Sequence, residues 1–154
     1  MKKVFDIILI LLFLNTTSCG FTPILVKSNY NFSYIIEKST GSDRVNSNIN
    51  QRLKTLKGNE KTYSISLNSK ESKTILSKDS KGDPSILEIV INLTYIIKDN
   101  GKIIVNKNLT QRSTYNNISD KFELEKSEEI LVENLTMILT QDIISSTLAI
   151  SNDS

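Results

Sequence analysis

Any chemistry in this chain must be done without histidine. None occurs among the 154 residues, so the usual general base near neutral pH is missing. A single cysteine, Cys19, has no intrachain partner for a disulfide. The ordinary zinc ligands are therefore absent as well. With five glycines and no Gly-x-x-x-x-Gly-Lys, Gly-x-Gly-x-x-Gly or Gly-x-Ser-x-Gly pattern, neither a phosphate cradle nor a nucleophile elbow is indicated. Serine–lysine catalysis stays open in so Ser- and Lys-rich a chain, but no spacing singles out a pair. The expectation is a protein that binds rather than catalyses, with no metal and no cofactor. What remains chemically distinctive is Cys19 and a line of cations in the second half, Lys98, Lys102, Lys107 and Arg112.

Cys19 closes a short export-type segment. Lys2 and Lys3 give a basic start, Val4 to Leu14 is nearly all apolar, and Asn15 to Ser18 are small or polar. This is the outline of a secretory signal peptide over residues 1–18. A cysteine at the head of the mature chain looks like the acylated first residue of a bacterial lipoprotein, which would hold the protein to a membrane by lipid. Two alternatives remain, a retained transmembrane anchor and a signal peptide followed by an unmodified cysteine. Against the anchor, the apolar run is about half of the ~20 residues needed to cross a bilayer, and Asp6 interrupts it. Without residues 1–18 the chain keeps 136 residues and loses Lys2, Lys3 and Asp6, leaving a net charge near +1. That length suits one domain, and that charge gives no field to draw it onto nucleic acid.

The elements that must carry these residues follow from periodicity. Residues 19–29, with Pro23, read as a tether, and 30–150 as one domain. Tyr30, Phe32, Tyr34 and Ile36 alternate as a half-buried strand. Gly41-Ser42-Asp43 is a break and helix cap, and Val45, Ile49, Leu53 and Leu56 predict a helix to about Lys57, ended by Gly58-Asn59. Tyr63, Ile65 and Leu67 form a second strand. Residues 68–85 are polar and read as a long loop, or else as a strand extension with a polar tip. Leu87, Ile89, Ile91, Leu93, Tyr95 and Ile97 share one parity, a regular strand face before the turn Asp99-Asn100-Gly101.

Two registers compete at that turn. A two-residue Asn-Gly loop sets Tyr95 opposite Asn106 and Leu93 opposite Asn108, so the apolar faces disagree. A three-residue loop sets Ile97 opposite Ile103, Tyr95 opposite Val105, Ile91 opposite Leu109 and Glu88 opposite Arg112. A one-residue slip inverts every side chain, so the second register is expected. It makes Lys98 face Lys102 and leaves Lys107 on the apolar face opposite Leu93. There Lys107 either snorkels past the rim of the sheet or waits for an anion. The opposite face of the hairpin offers Ile86, Val90, Ile96 and Ile104, either scattered surface apolars or a partner surface.

The last element begins near Asp120, a candidate capping residue with Glu123, or closer to Lys126. It carries the stripe Leu131, Leu135, Ile138, Leu139 and Ile143 to about Ser146 or a little beyond. A helical crossover between the first two strands favours a parallel pair, followed by an antiparallel meander. The expected fold class is α+β: a four-stranded mixed sheet with both helices on one face, a two-layer sandwich.

The start Cys19-Gly20-Phe21-Thr22-Pro23 resembles that of LPS-assembly lipoproteins of the LptE type, especially alphaproteobacterial ones. Ser113-Thr114-Tyr115-Asn116-Asn117, Lys121-Phe122-Glu123-Leu124, Glu128-Glu129 and Glu133-Asn134-Leu135 are similar to that family's strand end and final helix. The motif-bearing parts cover about a third of the mature chain. The resemblance implies an outer-membrane lipoprotein at the periplasmic face that plugs the barrel protein LptD, helps it fold and supports lipopolysaccharide (LPS) delivery. It implies a four-stranded sheet with two helices, and Gly20 after the cysteine is similar to lipoproteins sorted outward. Lys98, Lys102, Lys107 and Arg112 would then meet lipid A phosphates or acidic groups of the barrel. The alternative is another envelope lipoprotein, a secretion-channel pilot protein or a periplasmic ligand carrier.

Overall fold

Strict alternation over Leu87 to Ile97 builds the centre of the molecule. In the computed structural model, which describes residues 30–151, Ile89, Ile91, Leu93, Tyr95 and Ile97 are all buried on one face of a long strand. The elements run β1 (Phe32–Gly41), α1 (Asp43–Leu53), β2 (Lys61–Lys78), β3 (Pro84–Asp99), β4 (Lys102–Asn116) and α2 (Lys121–Ser151). The sheet order is β1-β2-β3-β4, with β1 parallel to β2 and the other pairs antiparallel. Phe32, Tyr34, Tyr63, Ile65 and Leu67 extend the buried face across β1 and β2. Val45, Ile49 and Leu53 of α1 and Val132, Leu135, Leu139 and Ile143 of α2 close over it in one core. The expected mixed-sheet sandwich with both helices on one face is what the chain forms.

Local chemistry explains the joints. Gly41 has φ +99° and packs where any Cβ would lie 1.7 Å from the Ser69 carbonyl oxygen, so the end of β1 can meet β2 only through glycine. Ser42 then caps α1, its hydroxyl accepting from the Val45 amide at 3.4 Å. Asp120 does the same for α2, accepting from the amides of Phe122 and Glu123 at 3.0 and 3.2 Å.

Several boundaries differ from expectation. β1 begins at Phe32 and continues to Gly41 across a register shift between Ile36 and Lys38. α1 stops at Leu53, not near Lys57, because the chain turns at Lys54 and lays Lys57 against Ser33 of β1. Residues 68–85 are not a long loop. β2 continues to Lys78, pairing Ser69 with Leu93, Glu71 with Ile91 and Lys73 with Ile89, so the strand-extension reading holds. α2 runs on to Ser151, and Ile138 is 48% exposed rather than buried. Thr136, Thr140 and Thr147 take the flank of its buried face, their hydroxyls donating to Glu133, Thr136 and Ile143 carbonyls. A threonine satisfied by its own helix can stand in a core, a substitution that hydropathy does not reveal.

The β3–β4 hairpin combines the two registers that competed in the sequence. Asp99 pairs with Lys102, so the loop is the two-residue Asn100-Gly101, with φ +47° and +82° as a type I′ turn requires. A shift beside Ile97 then leaves Ile104 as an extra residue and restores the parity. Ile97 therefore faces Val105, not Ile103; Tyr95 faces Lys107, not Val105; and Leu93 faces Leu109, not Lys107. Ile91 lies opposite Gln111 instead of Leu109, and Glu88 opposite Thr114 instead of Arg112. From Val105 onward every side chain keeps the expected face while its partner moves by two positions, whereas Ile103 and Ile104, before the shift, exchange faces.

Candidate functional site

Cys19, the signal peptide 1–18 and the tether 19–29 lie outside the described residues. The four cations expected to form a contact surface lie on β3 and β4, and the fold does not gather them. Lys102 and Arg112 are ten positions apart on one strand, roughly 33 Å.

Lys107 is on the helix-facing side of β4, as its parity required. Its ammonium donates to the Ser146 hydroxyl at 2.8 Å and lies 3.5 Å from a carboxylate oxygen of Asp142. The Tyr95 hydroxyl donates to the same Asp142 at 2.7 Å and stands 2.9 Å from Ser146. Asp142 and Ser146 are one turn apart on α2, flanking the buried Leu139 and Ile143, so the helix aims both at the sheet rim. Burial foremost, and then the Asp142 carboxylate, push the Tyr95 phenol well above its ordinary value. The lysine on the apolar face thus has its anion within its own chain. The contact also brings a serine and a lysine together. Lys107 is half-exposed there, and Ser146 lies 3.4 Å from the same Asp142 carboxylate.

Lys98 is on the open face, where it donates to Glu37 at 2.7 Å and holds that carboxyl below its ordinary value. It pairs across the sheet with Ile103, not Lys102. The two lysines expected to repel at the hairpin mouth therefore do not face each other: Lys98 is bonded to Glu37, and Lys102 lies opposite Asp99, whose carboxylate is 3.8 Å from Lys61. Arg112 also points to the open face. Opposite Val90, it reaches diagonally to Glu88 at 3.9 Å with 65% of its side chain exposed. That face carries hydrogen-bonded Thr94–Asn108 and Asn92–Thr110 pairs among Ile86, Val90 and Ile96. Ile104, expected there, instead packs against the core as the bulge residue.

A second polar cluster was not anticipated. On the helix-facing side of the distal half of β2, Glu71 is bonded by Arg44 and Ser42, and Glu128 of α2 by Lys73 and Tyr115. Burial alone would raise the Glu128 carboxyl, but the hydrogen bonds from Lys73 and Tyr115 outweigh it and set it below its ordinary value. One signal was available: Ser69, Glu71 and Lys73 keep the parity of Tyr63, Ile65 and Leu67. Among the described residues no group of three or more Asp, Glu, His or Cys is placed to hold a metal, and no helix is long and apolar enough to cross a membrane. A recess of about 770 Å³ opens between the end of α1 and α2, lined by Tyr30, Leu56, Met137 and Ile144 with Arg52 and Glu60.

These features define a class: an open, four-stranded mixed sheet backed on one face by a short and a long helix. No family model and no curated protein matches the chain. Among solved structures the fold is similar to that of rare lipoprotein B from Shewanella oneidensis, with a TM-score of 0.58 at 14% identity, covering 79% of this chain and 96% of that one. It is also similar to lipoprotein B from Nitrosomonas europaea, with a TM-score of 0.58 at 13% identity, covering 86% and 93%. At that identity the likeness is one of fold.

Proposed function

We propose that this chain is an outer-membrane lipoprotein, anchored through acylated Cys19, that plugs the LPS-translocating barrel LptD and assists its assembly. It acts by binding rather than by catalysis. The observation that carries this reading is the extent of the likeness to rare lipoprotein B, which takes in nearly the whole of that chain. The lipoprotein-type start at Cys19 and the resemblance of Tyr115-Asn116-Asn117 and the following helix to LptE proteins support it. A single acyl chain binds a membrane marginally, so stable attachment calls for a multiply acylated cysteine. The test is purification of the full chain in mild detergent: a large β-barrel protein copurifies with the native form and is lost, with membrane attachment, from Cys19→Ala. Recovery of the native form from membranes with no barrel would overturn the barrel reading.

On the same reading the hairpin cations meet lipid A phosphates or acidic groups of the barrel. Lys102 and Arg112 are the accessible members, since Lys107 and Lys98 would first have to leave Asp142 and Glu37. LPS affinity is expected to fall in Lys102→Ala more than in Lys107→Ala, measured by titration. Unchanged affinity in both would retire direct contact.

The recess beside α1 favours a second reading, a periplasmic ligand carrier. A carrier would copurify with a stoichiometric small amphiphile, visible by mass spectrometry, and with no barrel.

A further inference from the structure

Among the described residues the sheet has two edges, and the turn after α1 covers part of one of them. Along β1 the turn after α1 lies against the first residues of the strand. Lys57 bridges Ser33, and the Gly58 amide donates to the Phe32 carbonyl at 3.1 Å. The shift between Ile36 and Lys38 interrupts the remainder. β4 has no such cover. Among the described residues nothing pairs with its outer side, and from Val105 to Asn116 it follows β3 without a register shift. That is roughly 40 Å of edge, along which alternate residues turn their amide and carbonyl groups outward.

Free edges are ordinarily blunted by proline, bulges or inward-pointing charge. β4 has a bulge at Ile104 and an inward charge at Lys107, both in its first half. Residues 108–116 have no proline, no acidic residue and one charge, Arg112. The strand as a whole carries Lys102, Lys107 and Arg112 and no Asp or Glu. A second copy of this chain would therefore lay a purely cationic strand against itself, and like charges across a strand pair are unfavourable. The charge pattern complements an acidic strand.

We propose that the outer edge of β4 over Asn108–Asn116 is a strand-addition site for an extended, acidic segment of a partner protein, held by main-chain hydrogen bonds with a carboxylate against Arg112. Arg112 is suited to this, because its present contact with Glu88 is long and largely solvated. The inference goes beyond the barrel reading and does not depend on it; loss of barrel copurification would leave it standing.

The test uses the full chain in mild detergent and two labelled decapeptides, one alternating Glu and Val, the other Lys and Val. The acidic peptide is expected to slow hydrogen exchange of alternate amides in residues 108–116 by at least about tenfold, leaving β1 unchanged. Binding by fluorescence anisotropy should weaken at least about fivefold in Arg112→Glu and survive in Arg112→Lys. Protection on β1, no protection on β4, or equal binding of the two peptides would overturn the proposal. So would a dimer of the chain alone with protected β4 amides, which would assign the edge to a second copy.

Discussion

Lys107 is placed by strand parity and retained by Asp142, and those two facts have different origins. Alternation along β4 alone puts position 107 on the helix-facing side. The acceptor lies 35 residues further on, on α2, at a spacing no local pattern encodes. The pair is half-exposed, so its contribution to stability is small. Lys107→Met is expected to change the unfolding free energy by no more than about 1 kcal/mol in a urea titration. A larger effect belongs to solubility, because Lys107 is the inward charge on the free edge. Lys107→Met should self-associate at concentrations where the native chain is monomeric, as sedimentation velocity would show. Lys98 and Arg112 were legible as strand cations, and Glu88 as the neighbour of Arg112, but Glu37 as the partner of Lys98 required the tertiary pairing of β1 with β2 and β3.

At the scale of elements, the hairpin satisfies turn chemistry and face parity together. Asn-Gly favours a two-residue turn, parity demands an odd correction, and the extra residue at Ile104 supplies it. A sequence reading that admits one constraint at a time must choose between registers, whereas the folded hairpin accepts both. Gly41 is the sharpest local requirement. Gly41→Ala sets a Cβ against the Ser69 backbone at a positive φ, and is expected to cost roughly 2–4 kcal/mol, read as a lowered midpoint in thermal unfolding. Leu139, fully buried where α2 meets the sheet, should cost about 2–5 kcal/mol as Leu139→Ala. At Ile138, exposed one residue away, Ile138→Ala should be nearly neutral, a contrast opposite to a stripe that counts both as core.

Over the whole molecule, the apolar core fills the half of the sheet under α1 and the C-terminal part of α2. The salt-bridged seam of Arg44, Glu71, Lys73 and Glu128 fastens the distal half of β2 to the helices. The seam carries a pH dependence. The folded carboxyl of Glu128 is set below its ordinary value of 4.5, so its stabilising share is complete above that pH and is lost as the pH falls through the lower folded value. Glu128→Gln should therefore be less stable than the native chain at pH 7 and converge with it below pH 4.5, followed by urea unfolding at a series of pH values. The sequence by itself determined the order of the elements, the buried face of the strands, the Ser42 helix cap and the absence of histidine. These depend on residues within a few positions of one another, where period and cap chemistry are decisive. Tertiary structure alone decided that residues 68–78 continue a strand, that threonines line one flank of α2, and that Lys98 and Lys107 are held by Glu37 and Asp142. Those outcomes depend on which side chains meet across the sheet, where a polar residue is stable only because a distant partner satisfies it.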